Sequence, residues 1–171
     1  KKSTLSDYVN AQREGGVIGI TGSNGKTTTT ALTGHILGAA KLLAHAKVDS
    51  IAWNGTSASW IGFPSDERLC ARIGEATGIA ACTTVVAYRD LFRRMNVRRV
   101  GLVTPYTDDV QARIQANWGA AGFDCSSERH FGISDNFSFA EIAADAIGER
   151  IRDVVAEGCD AVAIVCTNMD G

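Results

Sequence analysis

Val97-Arg98-Arg99-Val100-Gly101-Leu102-Val103-Thr104-Pro105-Tyr106-Thr107-Asp108-Asp109-Val110 moves from an apolar run through a polar corner into a stretch of helical spacing. The run at 100–104 has the length and the Val/Leu content of a strand buried on both faces, and a helix is predicted over 109–121. The same pattern recurs in both directions. Upstream, strands are predicted at 17–20, 49–53 and 78–81, followed by helices at 27–45, 66–77 and 84–95. Downstream, the spacing of Ile142, Ala146, Ile147, Ile151, Val154 and Val155 predicts one long helix over 139–157, and a closing strand follows at 161–165. Apolar strands alternating with helices define an α/β fold, a parallel sheet with helices on both faces.

The bulk numbers agree with such a fold. The chain has 171 residues, 45% of them hydrophobic and 21% charged, within the range of a folded globular protein. At this size about two-thirds of the unfolded chain's surface becomes buried, enough for a real core. A net charge of −2 gives no basis for a nucleic acid or an anionic membrane as partner. The five cysteines, at 70, 82, 125, 159 and 166, show no C-x-x-C pairing, so a metal site is not expected. With no signal peptide and no long apolar span, reduced thiols in a cytoplasmic protein are the expectation. Four of the cysteines read as small buried hydrophobes.

Cys166 reads differently. Ligands of parallel sheets bind beyond the carboxyl ends of the strands. Those ends carry Asn54-Gly55-Thr56-Ser57, Pro105-Tyr106-Thr107-Asp108 and Cys166-Thr167-Asn168. Hydroxyls, amides and backbone N–H groups on one rim suit a carboxylate, whose oxygens need several donors in a fixed array. A thiol, with an ordinary pKa of ~8.5, exchanges protons near neutrality. A proton added or removed beside a carboxylate passes through an enediolate-like anion, and each preorganised donor lowers that barrier by about 3–4 kcal/mol. Thr56, Ser57, Tyr106, Thr167 and Asn168 are donors of that kind. The plainer alternative is a buried cysteine beside a helix-capping Thr/Ser pair.

Trp53-Asn54-Gly55-Thr56-Ser57-Ala58-Ser59, Ala81-Cys82-Thr83-Thr84, the stretch from Val97 to Val110 and Ala161-Val162-Ala163-Ile164-Val165-Cys166-Thr167-Asn168 occur in that order. Together, across about residues 38–171, they resemble the maleate isomerase/arylmalonate decarboxylase branch of the aspartate/glutamate racemase superfamily. The resemblance implies two flavodoxin-like, Rossmann-like halves with the site between them. These would be residues 1–97 and 98–171, the second lacking the family's C-terminal elements. It implies that Cys166 is the catalytic cysteine and that Thr56, Ser57 and Tyr106 hold the substrate carboxylate or enediolate. Racemases and cis–trans isomerases of this superfamily carry a second cysteine where Gly55 stands. A one-thiol site resembles the decarboxylases, so the implied reaction is cofactor-independent decarboxylation of a 2-substituted malonate protonated by Cys166. Racemisation or cis–trans isomerisation of a small carboxylic acid is the alternative. An exposed sheet edge left by missing elements makes a homodimer an expectation.

A second motif competes. Gly22, Ser23, Gly25, Lys26 and Thr27 follow the first strand as a phosphate cradle would, with Lys26 against phosphates and Thr27 on Mg²⁺. Over residues 15–37 this stretch resembles the ATP loop of the Mur ligases, which implies Mg-ATP as an alternative cofactor. No strand ends in the acidic residue that Mg²⁺ would need, since the run at 161–165 ends in Cys166. Asn24 stands where the racemase superfamily places a carboxylate-binding loop. The two resemblances meet at about residues 35–40, which makes an inactive chimeric α/β scaffold a third reading.

Overall fold

The computed structural model describes residues 17–21 and 29–169. The elements run β1 (Val17–Thr21), α1 (Thr29–His45), β2 (Ser50–Asn54), α2 (Ala58–Ile61), α3 (Phe63–Thr77), β3 (Ala80–Thr83) and α4 (Thr84–Arg94). They continue with β4 (Val100–Thr104), α5 (Asp108–Ala120), β5 (Glu128–His130), α6 (Ala144–Ala156) and β6 (Ala161–Ile164). The strands form two three-stranded sheets, ordered β1-β2-β3 and β5-β4-β6. Every pairing is parallel. The expected α/β class is what forms, because each strand is followed by enough chain to cross over as a helix.

β4 is buried at every residue and lies between two partners, as its uninterrupted apolar run requires. β2 alternates instead: Ile51 and Trp53 are buried against α1 and α3 with Ile36, Leu43, Leu69 and Ile73. A second cluster packs α6 on the other sheet through Ile147, Val154 and Val103. Gly101 permits that approach, since a Cβ there would stand 2.8 Å from Val154 Cγ2 and 3.0 Å from Cys159 Sγ. The largest cluster gathers Val85 and Phe92 of α4, Leu102 of β4 and Ile114 and Trp118 of α5. Helices from before residue 98 therefore share a core with strands from after it.

Five local features depart from expectation. Strand β3 occupies 80–83 rather than 78–81, because Gly78 takes a left-handed φ of 71° and closes α3. The helix expected over 139–157 is two pieces, a 3-10 turn at Ser138–Glu141 and α6, with Ile142 extended between them. β5, made of Glu128, Arg129 and His130, and the one-turn α2 were not expected at all. Cys82 is exposed on β3 rather than buried.

Candidate functional site

Thr56, Tyr106 and Cys166, far apart in the chain, meet at the carboxyl ends of β2, β4 and β6. Tyr106 leaves β4 in the corner that opens α5 and is 8% exposed, while Thr56 follows β2 and is 7% exposed. Their hydroxyls hydrogen-bond at 3.1 Å in a buried setting. The ring of Tyr106 is held edge-on by Trp60 at 5.0 Å and by Phe139 at 5.4 Å between centroids. Such pairs fix the plane of an aromatic ring as well as burying it. Neither Trp60 nor Phe139 was singled out from the sequence. Trp60 lies on the unexpected α2, and Phe139 owes its position to the 3-10 turn that breaks the expected helix.

Cys166 lies two residues past β6, half-buried and unoxidised. Its Sγ accepts the backbone N–H of Asn168 at 3.3 Å. Burial first, and then the Cys166 side chain beside it, push the Tyr106 phenol far above its usual range. The bond to Thr56 pulls the other way and is outweighed. Tyr106 is therefore a neutral O–H group that can donate to an anion. Burial also raises the thiols of Cys70, to about 11, and Cys125, to about 12. Those two stay protonated as ordinary core residues.

Ser57 is half-buried at the start of α2, its carbonyl accepting from Trp60 and Ile61 and its side chain making no cap. Gly55 is buried beside the indole of Trp53. Thr167 is exposed and donates to Asn168 Oδ1 at 3.4 Å, while Asn168 Nδ2 donates to the carbonyl of Asn136 at 3.4 Å. Contacts thus join Thr56, Tyr106, Cys166 and Asn168, while Gly55, Ser57 and Thr167 adjoin them along the chain. Gly22, Ser23, Asn24, Gly25, Lys26 and Thr27 lie outside the described residues. Among the described residues no group of three or more His, Cys, Asp or Glu could hold a metal ion, and no helix is long and apolar enough to cross a membrane.

The chain resembles solved structures of arylmalonate decarboxylase and of maleate isomerases. An unliganded arylmalonate decarboxylase superposes with a TM-score of 0.72 at 25% identity, covering 87% of this chain and 65% of that one. A maleate cis-trans isomerase from Nocardia farcinica, with a covalently bound succinylcysteine intermediate, gives 0.74 at 20% identity, covering 85% and 62%. The maleate isomerase Iso from Pseudomonas putida S16 gives 0.70 at 23%, covering 85% and 62%. The chain therefore spans just under two-thirds of these structures' length. No curated protein matches it. The family model of arylmalonate decarboxylase matches residues 21–170. That match takes in both the loop at 22–27 and the strand-end clusters, so neither the Mur-ligase resemblance nor a join near residues 35–40 finds support in it. A match over nearly the whole chain makes this protein a member of the arylmalonate decarboxylase family.

Proposed function

We propose that this chain carries the site of a cofactor-independent decarboxylase acting on a 2-substituted malonate. The observation that supports it most is the buried Thr56–Tyr106 hydroxyl pair beside the half-buried Cys166 thiol. One carboxylate of the substrate binds to the hydroxyls of Thr56, Ser57 and Tyr106, with Asn24 and the backbone beyond Cys166 as further donors. The other carboxylate is the one that is lost. The bond from Cα to that carboxylate breaks, CO₂ leaves, and the electron pair passes into the remaining carboxylate as an enediolate. Donors already in place around those oxygens stabilise the anion without reorganising. The Cys166 S–H then gives its proton to Cα, forming the monocarboxylate, and the thiolate regains a proton from water. Bonds and charges balance without an added electron carrier. Gly55 places no second acid on the opposite face, which favours this reading over racemisation.

The test is CO₂ release from phenylmalonate with and without Mg-ATP. Cys166→Ala should lose at least about 10³-fold in kcat, as expected when a proton donor is removed. Mg-ATP should change nothing. Full CO₂ release by Cys166→Ala, or a strict need for ATP, would overturn the proposal.

A further inference from the structure

Thr104 ends β4 and Gln111 closes the first turn of α5, so the two bracket the corner Pro105-Tyr106-Thr107. Thr104 Oγ1 donates to Gln111 Oε1 at 2.7 Å, with Thr104 fully buried and Gln111 1% exposed. Gln111 shares the buried stripe of α5 with Ile114 and Trp118, where a helix packed on a sheet ordinarily presents an apolar side chain. Its Nε2 is buried and has no hydrogen-bond partner among the described residues. A buried amide donor without a partner lowers stability. A methionine of similar length would fill the same stripe without that penalty. Packing alone therefore does not account for glutamine at this position. What glutamine adds is a side-chain bond that closes the strand-to-helix corner from within. On the other flank, the carbonyls of Thr104, Pro105 and Tyr106 accept the N–H groups of Phe131, Ile133 and Gly132 at 3.1, 2.8 and 3.0 Å. Those bonds tie the corner to the chain after β5; the Thr104–Gln111 bond ties it to α5.

We infer that Gln111 is a positioning residue, which through Thr104 fixes the corner that aims the Tyr106 hydroxyl at the developing oxyanion. The inference rests on the proposed decarboxylation. The Tyr106 ring is oriented by Trp60 and Phe139 and its hydroxyl by Thr56, but the backbone from which the side chain springs is set by the corner. A preorganised donor helps only where it stands within hydrogen-bond reach of the charge, and a displacement of about 1 Å costs up to about 10²-fold in rate. Gln111 is sealed in the core and touches no substrate atom. It acts through residues 104–106.

The test uses Thr104→Val/Gln111→Met, which replaces both partners by apolar groups of similar shape and leaves neither unpaired. Its thermal unfolding midpoint should equal or exceed the parent's. Its kcat for CO₂ release from phenylmalonate should fall at least about 10-fold with KM little changed, short of the about 10²–10³-fold of deleting the donor. In a Tyr106→Phe background the same pair of changes should move kcat by less than about two-fold, because no hydroxyl remains to aim. Thr104→Ser, which keeps the bond, should retain most of the kcat that Thr104→Val loses, and this pair carries the test if the double variant does not fold. An equal loss of kcat in both backgrounds, or a midpoint and kcat that fall together, overturns the inference. A second readout is independent of turnover. In protein made with 3-fluorotyrosine, the ¹⁹F NMR resonance of Tyr106 is identified by its loss in Tyr106→Phe. It should shift or split in the double variant, and an unmoved resonance overturns the inference. A parent that releases no CO₂ while the resonance moves sinks the proposed reaction and leaves the positioning role of Gln111 standing.

Discussion

Tyr106 is the residue through which the strand ends of the two sheets touch, since its hydroxyl meets Thr56 while its ring is fixed by Trp60 and Phe139. Tyr106→Phe keeps the ring contacts and removes one donor. Under the proposed reaction its kcat for CO₂ release should fall by about 10²–10³-fold, the loss expected on removing an oxyanion donor. The unfolding free energy should fall by only about 1–3 kcal/mol, the cost of leaving Thr56 without its buried partner. A proportionate loss of fold and activity would make Tyr106 a core residue and nothing more. The rim residues were legible in the sequence because they follow apolar runs, and the end of a parallel strand is where a polar side chain reaches solvent and ligand. What the sequence did not show was their mutual contact. Thr56 and Tyr106 are fifty positions apart, and nothing local to either records that a phenol bridges them.

At the scale of elements, α3 and α4 are tied at the surface by the Arg89–Glu67 ion pair and in the interior by a second polar link. Asp66, in the first turn of α3, is buried with Oδ2 lacking a protein partner. Burial raises its pKa, and the opposing hydrogen bond from Thr83 does not cancel that. Thr83 in turn caps α4 by accepting from the Val86 N–H at 3.2 Å. A carboxyl whose folded pKa lies above its unfolded value binds its proton more tightly when folded. It therefore lowers stability as pH rises through and beyond the unfolded pKa of 3.8. Asp66→Asn should raise the unfolding midpoint at pH 7 and leave it near the parent's at pH 3. A drop at pH 7 would show that the ionised carboxylate stabilises the fold. Regular elements such as β4 were readable because length, apolar content and position agree. The break at Ile142 was not, because no Gly or Pro marks it and the apolar spacing continues across it. The packing of Phe139 on Tyr106 decides it instead. Nor was β5, three charged residues with weak strand propensity that pair with the open side of β4 while Arg129 bonds Glu157 and His130 bonds Asp108.

At the scale of the whole molecule, Trp118 is the hub. It is fully buried and stacks obliquely on Phe63, Tyr88, Phe92 and Phe123, which come from elements on either side of residue 98. Trp118→Ala should cost about 3–5 kcal/mol. That is a large share of the about 5–15 kcal/mol that holds a domain folded. Urea unfolding of the parent followed by far-UV circular dichroism should show one transition, shifted as a unit in the variant. Two transitions, only one of them moved, would mean that the sheets do not share this core. The all-parallel pairing has one more consequence, for the order of assembly. Among the described residues no strand has a hairpin neighbour to close upon as it is made. β4, the most apolar strand, pairs Val100 with Ala161 about sixty residues downstream. At about 5–20 residues per second of synthesis, that edge waits roughly 3–12 s for its partner. Nascent chains are therefore most open to chaperone capture while Val100–Thr104 has emerged and Ala161–Ile164 has not.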